Sequence, residues 1–157
     1  EKKGYGYASK EVFKNANYIL IEHPVNQKEC ISFMERFVGT LGFKSVKIMS
    51  PQAHDEIISF TSQLPHAIAV SLINSDNEKY ETGKYIGDSY RDLTRIANIN
   101  ENLWSELFLR NSDYLLASIE AFEEQLDLIK VALKDNDERL LKDLFIKSSL
   151  RREKLEK

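Results

Sequence analysis

The chain is poor in cysteine: its 157 residues include only Cys30, so no disulfide bond can form within it. Helical spacing groups Cys30 with Ile31 and Met34, which predicts a place in the hydrophobic core and not a nucleophilic role. No apolar run reaches the ~18 residues that span a bilayer, and the polar first ten residues do not resemble a signal peptide. These absences predict a cytoplasmic protein with no membrane partner.

A marked excess of one charge is also absent. Lysine and arginine number 22 against 25 aspartates and glutamates, which gives a net charge of −3, and the two signs are interleaved along the chain. Binding to nucleic acid needs a clustered basic surface, so the composition argues against such a partner. With 42% hydrophobic residues, the chain can bury the core of one domain, or of one domain and part of another.

Groups that hold a metal or a nucleotide are scarce as well. The three histidines, His23, His54 and His66, have no second ligand at the spacing of a metal site apart from weak carboxylate neighbours such as Asp55, so no metal is predicted. Gly4 and Gly6 lack the third glycine of a dinucleotide fingerprint and do not follow a recognisable strand. The chain alone is therefore not expected to hold a dinucleotide.

Residues 1–49 have the pattern of a strand, a helix and a second strand. The apolar run at residues 18–21 predicts a strand covered on both faces, and the alternation within residues 43–49 predicts another. Between them, Asn26 is predicted to cap a helix that Gly42 ends. Because a two-stranded βαβ unit buries too little to be stable alone, we expect more sheet upstream of Glu1, which is not an initiator methionine. The chain looks cut from a longer protein.

From residue 50 to residue 157 the periodicity is helical throughout, which places a domain boundary there. Ser50 is predicted to cap the first helix, with Pro51 at its first position, where the missing N–H costs nothing. Pro65 is predicted to break or kink this helix. Residues 74–88 lack periodicity and predict a loop. A short helix and a second one capped by Asn100 are expected to follow.

One stripe of apolar residues follows a heptad spacing and predicts a long helix that needs a long partner. We call it the heptad stripe, and its members are Leu115, Ile119, Phe122, Leu126, Ile129 and Leu133. The partner is either the last predicted helix, at about residues 137–155, or a second copy of the chain across a two-fold axis. Periodicity alone leaves a core hairpin and a dimer interface equally open.

Two polar groups stand out in otherwise apolar helical sequence. Ser62, Gln63 and His66 surround Pro65, and polar groups placed there need partners or a ligand. Ser62 and His66 lie one turn apart, but no positioned nucleophile and base is evident. The second group contains Arg95.

Arg95 lies between Leu93 and Ile96 and is predicted to be partly sheltered. A sheltered guanidinium can bind a carboxylate through two hydrogen bonds. Alternatively, Arg95 forms a weak surface ion pair with Asp92, three residues earlier. Both interpretations stay open, and Trp104 is by default a core or interface residue.

Several segments occur together in an order that resembles prephenate dehydrogenase. They are SQLPHA at residues 62–67, YIGDSYRDLTRIA at 85–97, LW at 103–104 and FLRN at 108–111, preceded by EKKG at 1–4 and FKNANYIL at 13–20. The likeness spans nearly the whole chain. Each segment is unspecific alone, but their combination is specific.

The resemblance implies a mainly α fold, in which a helical dimerisation domain follows a small βαβ remnant of a Rossmann-like nucleotide-binding domain. It implies NAD-dependent oxidative decarboxylation of prephenate to 4-hydroxyphenylpyruvate, in tyrosine biosynthesis, by a homodimer. Arg95 would bind a substrate carboxylate, and Ser62, Gln63 and His66 would line the substrate. Secondary contacts are expected from Glu1, Arg91, Asp92 and Trp104. Since the hydroxyl-binding histidine and the NAD fingerprint would lie upstream, the chain alone is expected to be inactive.

Departures from the family pattern bear on the fine contacts. Gln63 replaces a histidine, Asp88 and Ser89 replace two glycines, and Ile99 replaces a serine. An arogenate-specific dehydrogenase is therefore an alternative. Two alternatives from other classes are a non-enzymatic helical dimerisation module, in which Arg95 is structural, and a small helical dicarboxylate enzyme such as a mutase.

Overall fold

A computed structural model of the chain describes residues 4–155, and the fold divides into two compact units between Leu115 and Leu116. The elements are β1 (Asn17–Ile21), α1 (Lys28–Thr40), β2 (Ser45–Met49), α2 (Pro51–Ile58), α3 (Leu64–Asn74), α4 (Asp88–Thr94), α5 (Glu101–Arg110), α6 (Ser112–Lys134) and α7 (Glu138–Leu155). The predicted architecture, a mainly helical chain that begins with a small βαβ unit, is confirmed. The domain boundary at residue 50 stays a prediction. Among the described residues, no helix has both the length and the apolar character needed to cross a membrane.

The βαβ unit pairs its two strands in parallel. The register runs from Asn17 opposite Ser45 to Ile21 opposite Met49, and α1 forms the crossover. Val38 on α1 is 1% exposed and forms the centre of this layer. The helix ends where predicted, because Gly42 has a φ of +90°, a left-handed conformation that other residues adopt at a cost.

Two local predictions for this unit are wrong. The residue before α1 is Gln27, and Asn26 instead accepts a hydrogen bond from the His23 N–H at 2.7 Å, which closes the turn after β1. Cys30 is exposed and not part of the core. It lies in the first turn of α1, whereas the less exposed side chains of that helix are Ile31, Met34 and Val38.

The start of the helical part follows local capping rules. The Ser50 hydroxyl accepts a hydrogen bond from the Ala53 N–H at 3.1 Å, and Pro51 occupies the first turn of α2, both as predicted.

Pro65 does not break the helix. A π-helical turn at Ser59–Gln63 joins α2 to α3, and the Leu64 N–H bonds to the Ser59 carbonyl five residues back. Pro65 has no N–H for the carbonyl four residues before it, and the wider turn lets the helix continue past that position.

The segment between α3 and α4 is irregular apart from one short 3₁₀ turn at Thr82–Lys84, in agreement with the predicted loop. Hydrogen bonds from Thr82 and from the Glu78 N–H hold the pKa of Asp76 below its ordinary value. This carboxylate therefore organises the loop while it stays in contact with solvent. Beyond it, α4 packs against α3.

The first unit ends with α5 and the start of α6. Asn100 caps α5 as predicted, because its side-chain oxygen accepts a hydrogen bond from the Leu103 N–H at 3.1 Å. Trp104 on α5 is 7% exposed, and Leu115 on α6 is 4% exposed.

The second unit consists of α6 from Leu116 onward and α7. Ala132 is fully buried, and Asp137 caps α7 by accepting a hydrogen bond from the Leu140 N–H at 2.9 Å. Side chains of both helices line an open groove of about 560 Å³. Much of the apolar surface remains uncovered, since Phe122, Leu126 and Leu133 of the heptad stripe are 36%, 45% and 61% exposed.

Candidate functional site

Four of the predicted site residues meet where the π-helical turn and α3 face α5. Ser62 and Gln63 end the π-helical turn, His66 follows in the first turn of α3, and Trp104 lies on α5. The imidazole of His66 stacks on the indole of Trp104, with ring centroids 3.6 Å apart and planes 28° apart. The Phe108 ring lies nearly perpendicular to the Trp104 ring, with ring centroids 5.7 Å apart and planes 85° apart. We call this group, together with Asn111, the His66 cluster.

The hydrogen bond of His66 determines its tautomer. Its Nδ1 lies 2.8 Å from the Ser62 carbonyl oxygen. A carbonyl oxygen only accepts, so Nδ1 must carry a proton in the neutral ring. The neutral ring of His66 therefore presents Nε2 as an acceptor, and a protonated ring presents the same atom as a donor.

Two polar atoms of the cluster are available to a ligand. Within residues 4–155, no protein group forms a hydrogen bond with His66 Nε2 or with the Ser62 hydroxyl. Every buried side-chain nitrogen or oxygen in that range has a partner, so these two atoms are in contact with solvent. The cluster thus combines a largely buried aromatic stack with one acceptor and one hydroxyl.

Gln63 has a different environment from its neighbours. It is 4% exposed, and its Nε2 donates to the Leu107 carbonyl at 3.1 Å. Its Oε1 accepts from Asn111 Nδ2 at 2.8 Å, and Asn111 Nδ2 also donates to the Asp55 carbonyl at 2.9 Å. A direct substrate contact from Gln63 stays a prediction, and the protein already uses both ends of its amide.

The prediction that Arg95 is partly sheltered is wrong. Arg95 is exposed, as are Leu93 at 60% and Asp92. The reason is that α4 has only seven residues and ends at Thr94, so Arg95 caps the helix and has no further turn to cover it. The predicted surface pair is not formed either, because no carboxylate lies within ion-pair distance of Arg95 in the described part of the chain.

The secondary residues are distributed unevenly. Trp104 belongs to the cluster, whereas Arg91 and Asp92 are exposed on α4, away from any described hydrogen bond of the cluster. Glu1 lies outside the described residues. The sequence pattern assigned no role to Asn111; the signal that could have found it is an asparagine directly after α5, a position where helices end.

Across residues 4–155, no three histidine, cysteine, aspartate or glutamate side chains are grouped closely enough to hold a metal ion. The two polar atoms of the cluster that have no protein partner can form hydrogen bonds with a ligand.

Comparison with known proteins identifies related sequences. Residues 50–147 match the family described as "Prephenate dehydrogenase, dimerization domain". A prephenate dehydrogenase of Bacillus subtilis is 28% identical over 140 residues, which cover 87% of this chain and 38% of that protein. A cyclohexadienyl dehydrogenase of Zymomonas mobilis is 27% identical over 153 residues, which cover 94% of this chain and 52% of that protein. The matched part of the chain thus spans between 38% and 52% of the length of these relatives.

Solved structures share the fold. Prephenate dehydrogenase from Aquifex aeolicus, in complex with hydroxyphenyl propionate and NAD+, superposes with a TM-score of 0.83 at 29% identity. The match covers 98% of this chain and 55% of that one. An arogenate dehydrogenase from Synechocystis, with a TM-score of 0.82 at 22% identity, has the same fold over 92% of this chain and 54% of that one.

Proposed function

The chain belongs to the family of the prephenate dehydrogenase dimerization domain, and from this we propose that it forms the substrate-binding, dimer-forming part of an NAD-dependent prephenate dehydrogenase. In the proposed reaction, the ring carbon of prephenate that bears the hydroxyl would give up a hydride, for which NAD would be the acceptor. Carbon dioxide would leave as the ring becomes aromatic, and the proton that the hydroxyl gives up would return to the same oxygen. The product is 4-hydroxyphenylpyruvate, for tyrosine biosynthesis in the cytoplasm. The structural observation that carries the proposal is the His66 cluster, in which the imidazole is held against Trp104 and leaves Nε2 and the Ser62 hydroxyl open to a ligand.

The nucleotide does not fit the described residues. A dinucleotide fingerprint places glycines in the turn between a strand and the next helix. The turn from β1 to α1 contains no glycine, and its residues form their own hydrogen bonds, between His23 and Asn26. NAD is therefore bound mainly by another domain in this proposal.

The residues of this chain would bind and orient the substrate. His66 Nε2 and the Ser62 hydroxyl can form hydrogen bonds with its polar groups, and the stack on Trp104 keeps the imidazole in place. Arg95 would bind a carboxylate, since it is exposed at the end of α4, the helix that packs against α3, and forms no ion pair within residues 4–155. Arogenate differs from prephenate in the side chain on its ring. Contacts from His66, Ser62 or Arg95 to that side chain would therefore differ between the two substrates.

The proposed function predicts that the chain binds an aromatic carboxylate without catalysing the reaction. The probe is hydroxyphenylpropionate, and the readout is the emission of Trp104, the only tryptophan in the sequence. We expect a saturable change in emission, and no change with 4-ethylphenol, which lacks the carboxylate. With prephenate and NAD, we expect no turnover by the chain alone.

Two results would contradict the predicted binding of an aromatic carboxylate. Saturation with 4-ethylphenol at the same concentration would mean that the carboxylate is not recognised. Absence of saturation with hydroxyphenylpropionate up to millimolar concentrations would remove the substrate-binding role.

We also propose that the second unit pairs with a second copy of the chain. Phe122, Leu126 and Leu133 of the heptad stripe are at least one-third exposed although α7 is present, so the hairpin alone does not cover the stripe. Exposed apolar patches of this kind mark interaction surfaces. A two-fold dimer would bury the same stripe on both copies.

The dimer proposal predicts that Leu126→Glu separates the subunits. Loss of one buried leucine costs about 1.5 kcal/mol or more. A symmetric dimer loses two leucines, because both of its subunits carry the substitution. The dissociation constant should therefore rise about 100-fold or more, as measured by sedimentation equilibrium. Ala121→Glu is the matched control, since Ala121 is exposed on the same helix but outside the stripe, and it should leave the dimer intact. A wild-type chain that stays monomeric at 100 μM, roughly the weak end of specific association, would end the proposal.

A further inference from the structure

The amides of Gln63 and Asn111 link three elements of the first unit. Gln63, at the end of the π-helical turn, donates to the Leu107 carbonyl of α5 and accepts from Asn111. Asn111, directly after α5, also donates to the Asp55 carbonyl of α2. Both Asn111 bonds use Nδ2, so both hydrogens of that group are engaged.

The orientation of both amides is fixed by chemistry. The Leu107 and Asp55 carbonyls can only accept, so the atoms that face them must be nitrogen. The Gln63 oxygen is then the atom that faces Asn111. Leu107 is among the last four residues of α5, whose carbonyls lack partners inside the helix, and Gln63 supplies one from outside.

The same two elements hold the stack of His66 on Trp104. His66 lies three residues after Gln63, and Trp104 lies three residues before Leu107. The hydrogen bond from Gln63 to Leu107 and the stack are therefore two successive contacts between antiparallel segments. The amide pair is thus the next contact along the two segments from the stack of imidazole on indole.

The amide pair matters because Gln63 lies at the end of the π-helical turn. A π-helical turn inserts one extra residue into a helix, and one residue corresponds to a rotation of about 100°. If the turn returned to a regular α-helix, every side chain after it would rotate relative to α5. Gln63 lies at the last position of the turn, and its two bonds to the α5 end oppose that rotation.

We propose that Gln63 and Asn111 are positioning residues, which hold the π-helical turn in register and thereby fix His66 against Trp104 with Nε2 accessible. In this proposal they act through His66, because protein groups already engage the Gln63 amide and Asn111 Nδ2. The measurement of ligand affinity rests on the proposed function, whereas the measurement of Trp104 emission, which reports the contact with His66, does not.

The test replaces each amide in the 157-residue chain. Gln63→Met removes both bonds with a side chain of similar length, and Asn111→Ala removes the partner while it leaves the bond to Leu107. The matched control is Gln52→Met, because Gln52 is exposed on α2. His66→Ala calibrates the emission of Trp104 without the stack. Gln63→His retains one donor and one acceptor and tests rescue.

We expect Gln63→Met and Asn111→Ala to shift the Trp104 emission toward that of His66→Ala, at unchanged helical circular dichroism. The dissociation constant for hydroxyphenylpropionate should rise about tenfold or more, because small displacements of a positioned group are costly. The double variant should be no weaker in binding than Gln63→Met, since the two residues act as one unit. Gln63→His should regain most of the affinity, and Gln52→Met should match the wild type.

A lower melting temperature with unchanged emission and unchanged affinity would overturn the proposal, because it would show a structural role alone. If Gln63→Met does not fold, the same comparison is made with Asn111→Ala, where wild-type emission would overturn it equally. If the wild-type chain does not bind hydroxyphenylpropionate, the proposed function fails, while the emission of the variants still decides whether the amides position His66.

Discussion

Replacement of Trp104 with alanine is expected to lower the free energy of unfolding by about 3–5 kcal/mol, the usual cost of a large buried aromatic side chain. Trp104 is 7% exposed and contacts both the His66 ring and the Phe108 ring, so its removal leaves a cavity between α3 and α5. The loss is measured by urea denaturation followed by circular dichroism, since the variant has no tryptophan emission.

Two variants control this experiment. Tyr85→Ala removes an aromatic residue that is 79% exposed, and it should change the stability by no more than about 0.5 kcal/mol. Trp104→Phe keeps a ring opposite His66 and should lie between wild type and Trp104→Ala. A loss below about 1 kcal/mol for Trp104→Ala would mean that the site collapses without Trp104 and that the stack is not a packing centre.

The elements that the sequence predicts well depend on local physics. Ser50 and Asn100 cap their helices through their own side chains, and Gly42 ends α1 with a positive φ. These capping preferences depend only on residues close together in the chain, so they can be predicted from a single sequence. The apolar runs that define β1 and β2 are equally local, and their parallel pairing follows from the intervening helix.

The predictions that failed depend on distant parts of the chain. Cys30 has the spacing of a core residue, but in the described part of the chain the sheet that α1 covers has two strands, and Cys30 is exposed. Arg95 has apolar neighbours in sequence, yet α4 ends one residue earlier. Periodicity describes one face of a helix and does not show where its partner stops.

The candidate site was only partly predictable for the same reason. The polar residues around Pro65 were recognised because they interrupt apolar helical sequence. That Gln63 turns inward and His66 lies on Trp104 follows from the π-helical turn, and no local pattern predicts such a turn. Asn111, 48 residues from Gln63, could be joined to it only by the tertiary fold.

Family membership separates the functional alternatives better than the geometry does. The match over residues 50–147 favours a dehydrogenase component over a mutase. A purely structural module would also expose the heptad stripe, so the stripe supports pairing under either interpretation. The dehydrogenase and the structural module differ most in the role of Arg95, which would bind substrate in the first and be structural in the second.

Replacement of Arg95 with alanine is expected to weaken the binding of hydroxyphenylpropionate by about 10-fold to 100-fold, the value of a charge-assisted pair with a carboxylate. The same change should alter the free energy of unfolding by no more than about 0.5 kcal/mol, because Arg95 is exposed and forms no ion pair among the described residues. Titration of Trp104 emission gives the affinity, and thermal unfolding gives the stability.

The controls separate a specific contact from general attraction by positive charge. Arg91→Ala removes an exposed arginine from the same short helix, and it should reduce affinity by less than Arg95→Ala. Arg95→Lys keeps the charge but not the planar pair of donors, so it should restore only part of the affinity. Equal losses for Arg91→Ala and Arg95→Ala would show a diffuse electrostatic effect, since a carboxylate site requires one guanidinium at a defined position. A loss of stability without a loss of affinity would instead make Arg95 a structural residue, because an exposed side chain can stabilise the fold only through contacts that its removal breaks.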